Sequence, residues 1–84
     1  MFQTGDTIRA VRAVGIDCDG RKRILNAGVP VLVVSVRNIG SDSLEVEILT
    51  VEQDVQPFLA PNLDGILWGT RESFERNFQV GERA

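Results

Sequence analysis

Val29-Pro30-Val31-Leu32-Val33-Val34-Ser35-Val36, followed across Asn38-Ile39-Gly40-Ser41-Asp42 by Ser43-Leu44-Glu45-Val46-Glu47-Ile48-Leu49, decides the fold. The first run is nearly continuous in β-branched apolar residues, which predicts a strand covered on both faces at the centre of the core. Pro30 lacks an amide donor and belongs at a strand's first residue or on an edge. The second run alternates, with Leu44, Val46 and Ile48 on one face and Glu45 and Glu47 on the other, the period of a half-buried antiparallel strand. The residues between the two runs are turn formers, so the runs pair as a short hairpin. The acidic strand is expected near a sheet edge.

Outward from this hairpin the same alphabet continues. Gly5-Asp6 is a turn pair that leads into Thr7-Ile8-Arg9-Ala10-Val11-Arg12-Ala13-Val14, read as the first strand. Its alternation is imperfect, and a bulge or strong twist near Ala10-Val11 would put Arg9 and Arg12 on the wet side together. Residues 15–26 are polar and turn-rich and predict a long loop or splayed hairpin with Asp19-Gly20 at its tip. Past the acidic strand, Val51 and Val55 allow an extension, but Pro57 and Pro61 predict an irregular loop over residues 56–65. Ile66-Leu67-Trp68 reads as a short strand. Thr70 then reads as an N-cap for a helical turn or two over residues 71–78, with Phe74 and Phe78 at i and i+4 on one face.

Composition bounds the rest. The chain has 84 residues, a hydrophobic fraction of 43% and a charged fraction of 25%, the profile of a folded domain and not of a disordered segment. That length gives a single small domain, residues 1–84, with a thin core, for which a partner surface would help. One cysteine, Cys18, excludes an intrachain disulfide and points to a reducing, cytoplasmic setting. No stretch approaches the ~18 apolar residues of a membrane span, and the first residues have no basic and apolar leader pattern. The net charge of −3 is unevenly spread. Residues 1–40 are net basic and residues 41–84 net acidic, which predicts neighbouring strands of complementary charge.

The order of elements resembles the small β-barrels of the Src-homology-3-like and KOW-like kind. Thr4-Gly5-Asp6-Thr7-Ile8-Arg9 looks like the opening of such barrels, and residues 27–36 look like their second strand after a long first loop. The resemblance implies a mainly β fold, a small Src-homology-3-like antiparallel barrel with a short C-terminal helical segment. It does not extend to function, because many functions share this fold. Signalling members bind proline peptides with a groove of tyrosines, and this chain has no tyrosine. Nucleic-acid-binding members tend to be basic, whereas the pI here is about 4.8.

Chemistry-bearing residues are sparse. The chain has no histidine, so Cys18 has no imidazole base to activate it, and Asp17-Cys18-Asp19-Gly20 matches a calcium loop only at its start. Glu45 and Glu47 share one strand face, the mark of a solvated surface more than of an acid–base pair. The expectation is therefore a non-enzyme without metal or cofactor. Two surfaces remain. Arg21-Lys22-Arg23, with Arg9 and Arg12, is the candidate anion-binding patch for nucleic acid or an acidic protein. Trp68 and Phe74 are the candidate apolar anchor for a partner protein. The expected function is a protein-interaction or assembly module, by self-association as a dimer or with another protein. A nucleic-acid-binding barrel using the basic loop is the alternative.

Overall fold

A computed structural model describes residues 1–18, 20–50 and 64–84. The elements in chain order are β1 (Thr7–Ala10), β2 (Val14–Cys18), β3 (Arg21–Leu25), β4 (Pro30–Asn38), β5 (Ser43–Thr50), β6 (Asp64–Thr70), α1 (Arg71–Asn77) and β7 (Phe78–Glu82). Among the described residues the seven strands form one antiparallel sheet in the order β3-β2-β6-β5-β4-β1-β7, curled into a half-barrel. The fold is mainly β with one short helix near the C-terminus, as the alternation and the capped segment predict. No helix among these residues is long and apolar enough to cross a membrane.

The β4–β5 hairpin forms as its pattern dictates, from Val31↔Thr50 to Asn38↔Leu44, with a register shift between Val33 and Ser35. Leu44, Val46 and Ile48 are buried and Glu45 and Glu47 lie on the other face. Two expectations need correction here. The apolar run is fully covered on one face only, because Val31 and Val33 share a face and are buried, while Leu32 on the other face is half-buried and Val34, at the register shift, is 38% exposed. The acidic strand is not an edge, since β5 sits between β4 and β6 and the outer strands are β3 and β7.

The stretch 7–14 is not one strand. The chain bends at Val11 and Arg12, the amide of Val11 donating to the Asn77 carbonyl at 2.8 Å, and Val14 opens β2. β2 and β3 pair as a regular hairpin, not as a long loop or a splayed hairpin, with five paired positions from Val14↔Leu25 to Cys18↔Arg21. Gly20, with φ of 77°, takes the left-handed angle its tip requires, while Asp19 lies outside the described residues. The expected irregular loop also lies outside them for residues 56–63, and Asp64 and Gly65 already belong to β6.

Thr70 caps α1 as its sequence position predicts. Its Oγ1 accepts from the amide of Ser73 at 3.1 Å, and the Ser73 hydroxyl returns a bond to the Thr70 carbonyl at 2.9 Å. The helix stops at Asn77, and Phe78 turns into β7, which pairs with β1 from Ala10↔Phe78 to Thr7↔Glu82. Phe74 and Phe78 stay on one side all the same. Their rings pack against Phe2 with centroid separations of 5.8 and 6.2 Å, in edge-on arrangements that favour aromatic contacts. This trio joins Ile8, Val31, Val33, Val46, Ile48 and Leu67 in one core.

Two glycines on the core side of β6 permit this packing. A Cβ at Gly65 would lie 2.3 Å from Cδ1 of Ile16, and one at Gly69 would lie 2.6 Å from Oγ of Ser73. Their absent side chains let β2 and α1 approach β6 closely.

Gly5-Asp6 does more than turn the chain. Asp6 is fully buried, and its carboxylate accepts from the amides of Gln3 at 2.8 Å and Ala84 at 2.9 Å. Arg83 lies 3.5 Å away. The backbone bond from Ala84, then that from Gln3, hold its carboxyl below the ordinary range against the opposing effect of burial, with a smaller contribution from Arg83.

Candidate functional site

Strand alternation sorts the expected basic patch onto different surfaces. Arg21, Lys22 and Arg23 lie on β3, so Lys22 shares a face with its pair Asp17, while Arg21 and Arg23 share the opposite face with Cys18 and Ile16. Arg9 lies on β1, separated from β3 in the sheet by β2, β6, β5 and β4. Its guanidinium donates to the Gly28 carbonyl at 3.2 Å. Arg12 is exposed in the bend after β1. The five cations are all exposed, but strand order and face divide them.

The two aromatic candidates also part. Phe74 is 3% exposed and belongs to the core beneath Gly69, whereas Trp68 points from the opposite face of β6 and is 52% exposed. A surface that joins both rings is therefore not available, and Trp68 alone stands outside. Cys18 is likewise buried, on the core face of β2.

Around Trp68 the outer face is built by register. Glu45 of β5 lies opposite Trp68 and accepts its indole N–H through Oε1 at 3.1 Å. The other oxygen of Glu45 pairs with Nη2 of Arg37 on β4 at 2.6 Å, so a chain of polar contacts across β4, β5 and β6 holds the ring by its edge. This pair also realises the expected match between the basic first half and the acidic second half of the chain. One row along, Ile66 of β6 faces Asp17 of β2 and Glu47 of β5.

Two open concavities flank the ring. The larger, about 300 Å³, is lined by Trp68, Ile66, Asp17, Glu47 and Asp64 among others. The smaller, about 220 Å³, lies where Gly15 leaves room between Trp68, Asp17 and Lys22. Asp17 is fixed at the hairpin tip, its Oδ1 accepting the Gly20 amide at 2.9 Å. Glu47 lies 3.5 Å from the Ser35 hydroxyl. The two concavities thus offer an aromatic face, an apolar floor at Ile66 and three carboxylates against one ammonium among the described residues. Sequence reasoning singled out Trp68 but not Asp17, Glu47, Asp64 or Ile66 as its neighbours. Their convergence depends on β6 lying between β2 and β5, a non-local pairing that no short motif announces.

The described residues contain no group of three or more histidine, cysteine, aspartate or glutamate side chains arranged to hold a metal ion. Comparison with protein-family models, with curated proteins and with solved structures returned no significant match.

Proposed function

We propose that this protein is a non-enzymatic protein-interaction module whose docking face is the outer surface of β2, β6 and β5 around Trp68. The observation that carries this reading is the half-exposed Trp68 ring, held by Glu45 in the middle of a regular sheet and bordered by a concavity of about 300 Å³. An indole fixed in place loses little freedom on binding, and tryptophan is over-represented among the residues that anchor interfaces. The absence of histidine from the chain and the burial of Cys18 support a binding role over a catalytic one. The single cysteine favours a reducing, cytoplasmic setting.

The partner on this face is a different protein. Two copies apposed about a two-fold axis here would set Asp17, Glu47 and Asp64 against themselves. Self-association, which the small size of the domain favours, is assigned to the outer strands β3 and β7, each paired on one side only among the described residues.

Selection of a random heptapeptide display library on the full chain tests the docking reading, with Trp68→Ala as the counter-target. Peptides retained by the parent and lost on the variant are expected. An electrophoretic shift on mixed DNA and RNA that survives Trp68→Ala and is abolished by Arg21→Ala with Arg23→Ala, with no Trp68-dependent peptide, would replace this reading with nucleic-acid binding through β3.

A further inference from the structure

The outer face of β2, β6 and β5 carries information about the kind of group it receives. Trp68 presents an exposed ring whose N–H is already committed to Glu45, so its remaining offer to a ligand is the π-face and edge. That face attracts cations, and attracts planar guanidinium groups best because they also stack. The concavity beside the ring is bordered by carboxylates from three strands, Asp17 on β2, Glu47 on β5 and Asp64 on β6. Lys22 lines the smaller concavity, and among the described residues no cation lines the larger one, the Arg37 guanidinium being paired with Glu45. The larger concavity is therefore anionic at its rim and aromatic at its wall, and Ile66 gives it an apolar floor for the methylenes of a long side chain.

We infer that this concavity is the receptor for an arginine side chain from a basic segment of another protein. The guanidinium stacks on Trp68, and its N–H donors meet the carboxylates of Asp17, Glu47 and Asp64. The fork of an arginine reaches more than one carboxylate oxygen at once, which a lysine ammonium does less well. Gly15, on β2 beside Trp68, leaves the neighbouring space open for the segment's backbone. The inference rests on the docking reading and adds the chemistry of the partner to it.

The same display selection supplies the test. Retained peptides are expected to be enriched in arginine, and the synthetic form of one of them, titrated against the full chain by tryptophan emission and by heteronuclear NMR, should shift the indole N–H of Trp68 and the amide of Gly15. Replacing its arginine by citrulline, a neutral group of the same shape, should weaken binding about tenfold or more. Trp68→Leu should weaken the arginine peptide to a similar degree. Asp17→Asn with Glu47→Gln should also weaken it, whereas Glu72→Gln with Glu82→Gln, which changes net charge equally but elsewhere, should not. Circular dichroism confirms that each variant is folded.

Trp68-dependent peptides that lack arginine, or that bind equally well with citrulline, overturn the inference and leave the docking reading standing. So does equal weakening by the distant glutamate changes, which would mean bulk charge attraction. A concentration-dependent dimer that quenches or blue-shifts Trp68 overturns it in favour of a second copy on this face. The absence of any Trp68-dependent peptide removes both the inference and the docking reading.

Discussion

Gly65→Ala should destabilise the fold through one identifiable collision. The added methyl would sit 2.3 Å from Cδ1 and 2.7 Å from Cγ1 of Ile16. Carbon atoms pack at about 3.5–4.0 Å, so Ile16 must withdraw by roughly 1 Å. Ile16 is 8% exposed and packed in the core, and overfilling such a site costs about 1–3 kcal/mol. Alanine returns about 0.4–1 kcal/mol by stiffening the unfolded chain, which leaves a net loss of about 1–2 kcal/mol. The collision has a specific remedy. Ile16→Ala removes both offending atoms, at its own cost of about 2–5 kcal/mol, and in that background Gly65→Ala should cost little or even stabilise. Ile16→Val removes only Cδ1 and should rescue in part. Urea denaturation of the four proteins in each cycle gives the coupling from shifts in midpoint at constant slope. Changes at the two positions that add to within ~0.5 kcal/mol would refute the close approach of β2 and β6.

Asp6→Asn should lower the melting temperature at neutral pH, because an amide cannot accept from both the Gln3 and Ala84 N–H groups as the carboxylate does. The carboxyl is held below its ordinary range, so its contribution is present above the unfolded value of about 3.9 and fades as pH falls through the lower folded value. The gap between parent and variant should close on acidification, and an equal gap at pH ~3 and pH ~7 in scanning calorimetry would refute the clamp. Val33→Asp should abolish cooperative melting by burying an unpaired charge, whereas Val34→Asp, at a position 38% exposed, should keep the parent's circular dichroism spectrum and a sharp transition. A folded Val33→Asp protein would place that side chain outside the core. Light scattering across a dilution series is expected to show a dimer whose Trp68 emission equals that of the monomer, and a strictly monomeric mass at high concentration would remove the edge-strand association.

What was legible in the sequence is local. The alternation of Leu44, Val46 and Ile48 with Glu45 and Glu47 needs only a period of two, and Thr70 caps its helix through an amide three residues away. Phe78 misled because i and i+4 spacing from Phe74 satisfies a helix, although the same side is reached by a strand that starts at Phe78. Arg21-Lys22-Arg23 reads as part of a long loop or splayed hairpin because residues 15–26 are polar and rich in turn formers. Pairing with β2 overrides that local signal and turns one basic patch into two faces. The role of Asp6 was hidden for a different reason, since its partner amide lies 78 residues along the chain. The neighbours of Trp68 were hidden in the same way, by the placement of β6 between β2 and β5.

The register of β1 against β7 also fixes how the molecule yields to force. Thr7 pairs with Glu82 and Ala10 with Phe78, so the residues leading into β1 and those leaving β7 emerge at the same end of the pair. Tension applied between residues 1 and 84 peels these strands apart like a zipper and does not slide one along the other. The core contacts of Phe2 take the load first on the N-terminal side and the bonds from Ala84 and Arg83 to Asp6 on the C-terminal side, and the ladder then parts one pair at a time. A shearing geometry would have shared the load among all the bonds at once. Stretched from these points, the fold should give way at low force and open from β7 inward, with β4, β5 and β6 holding together longest.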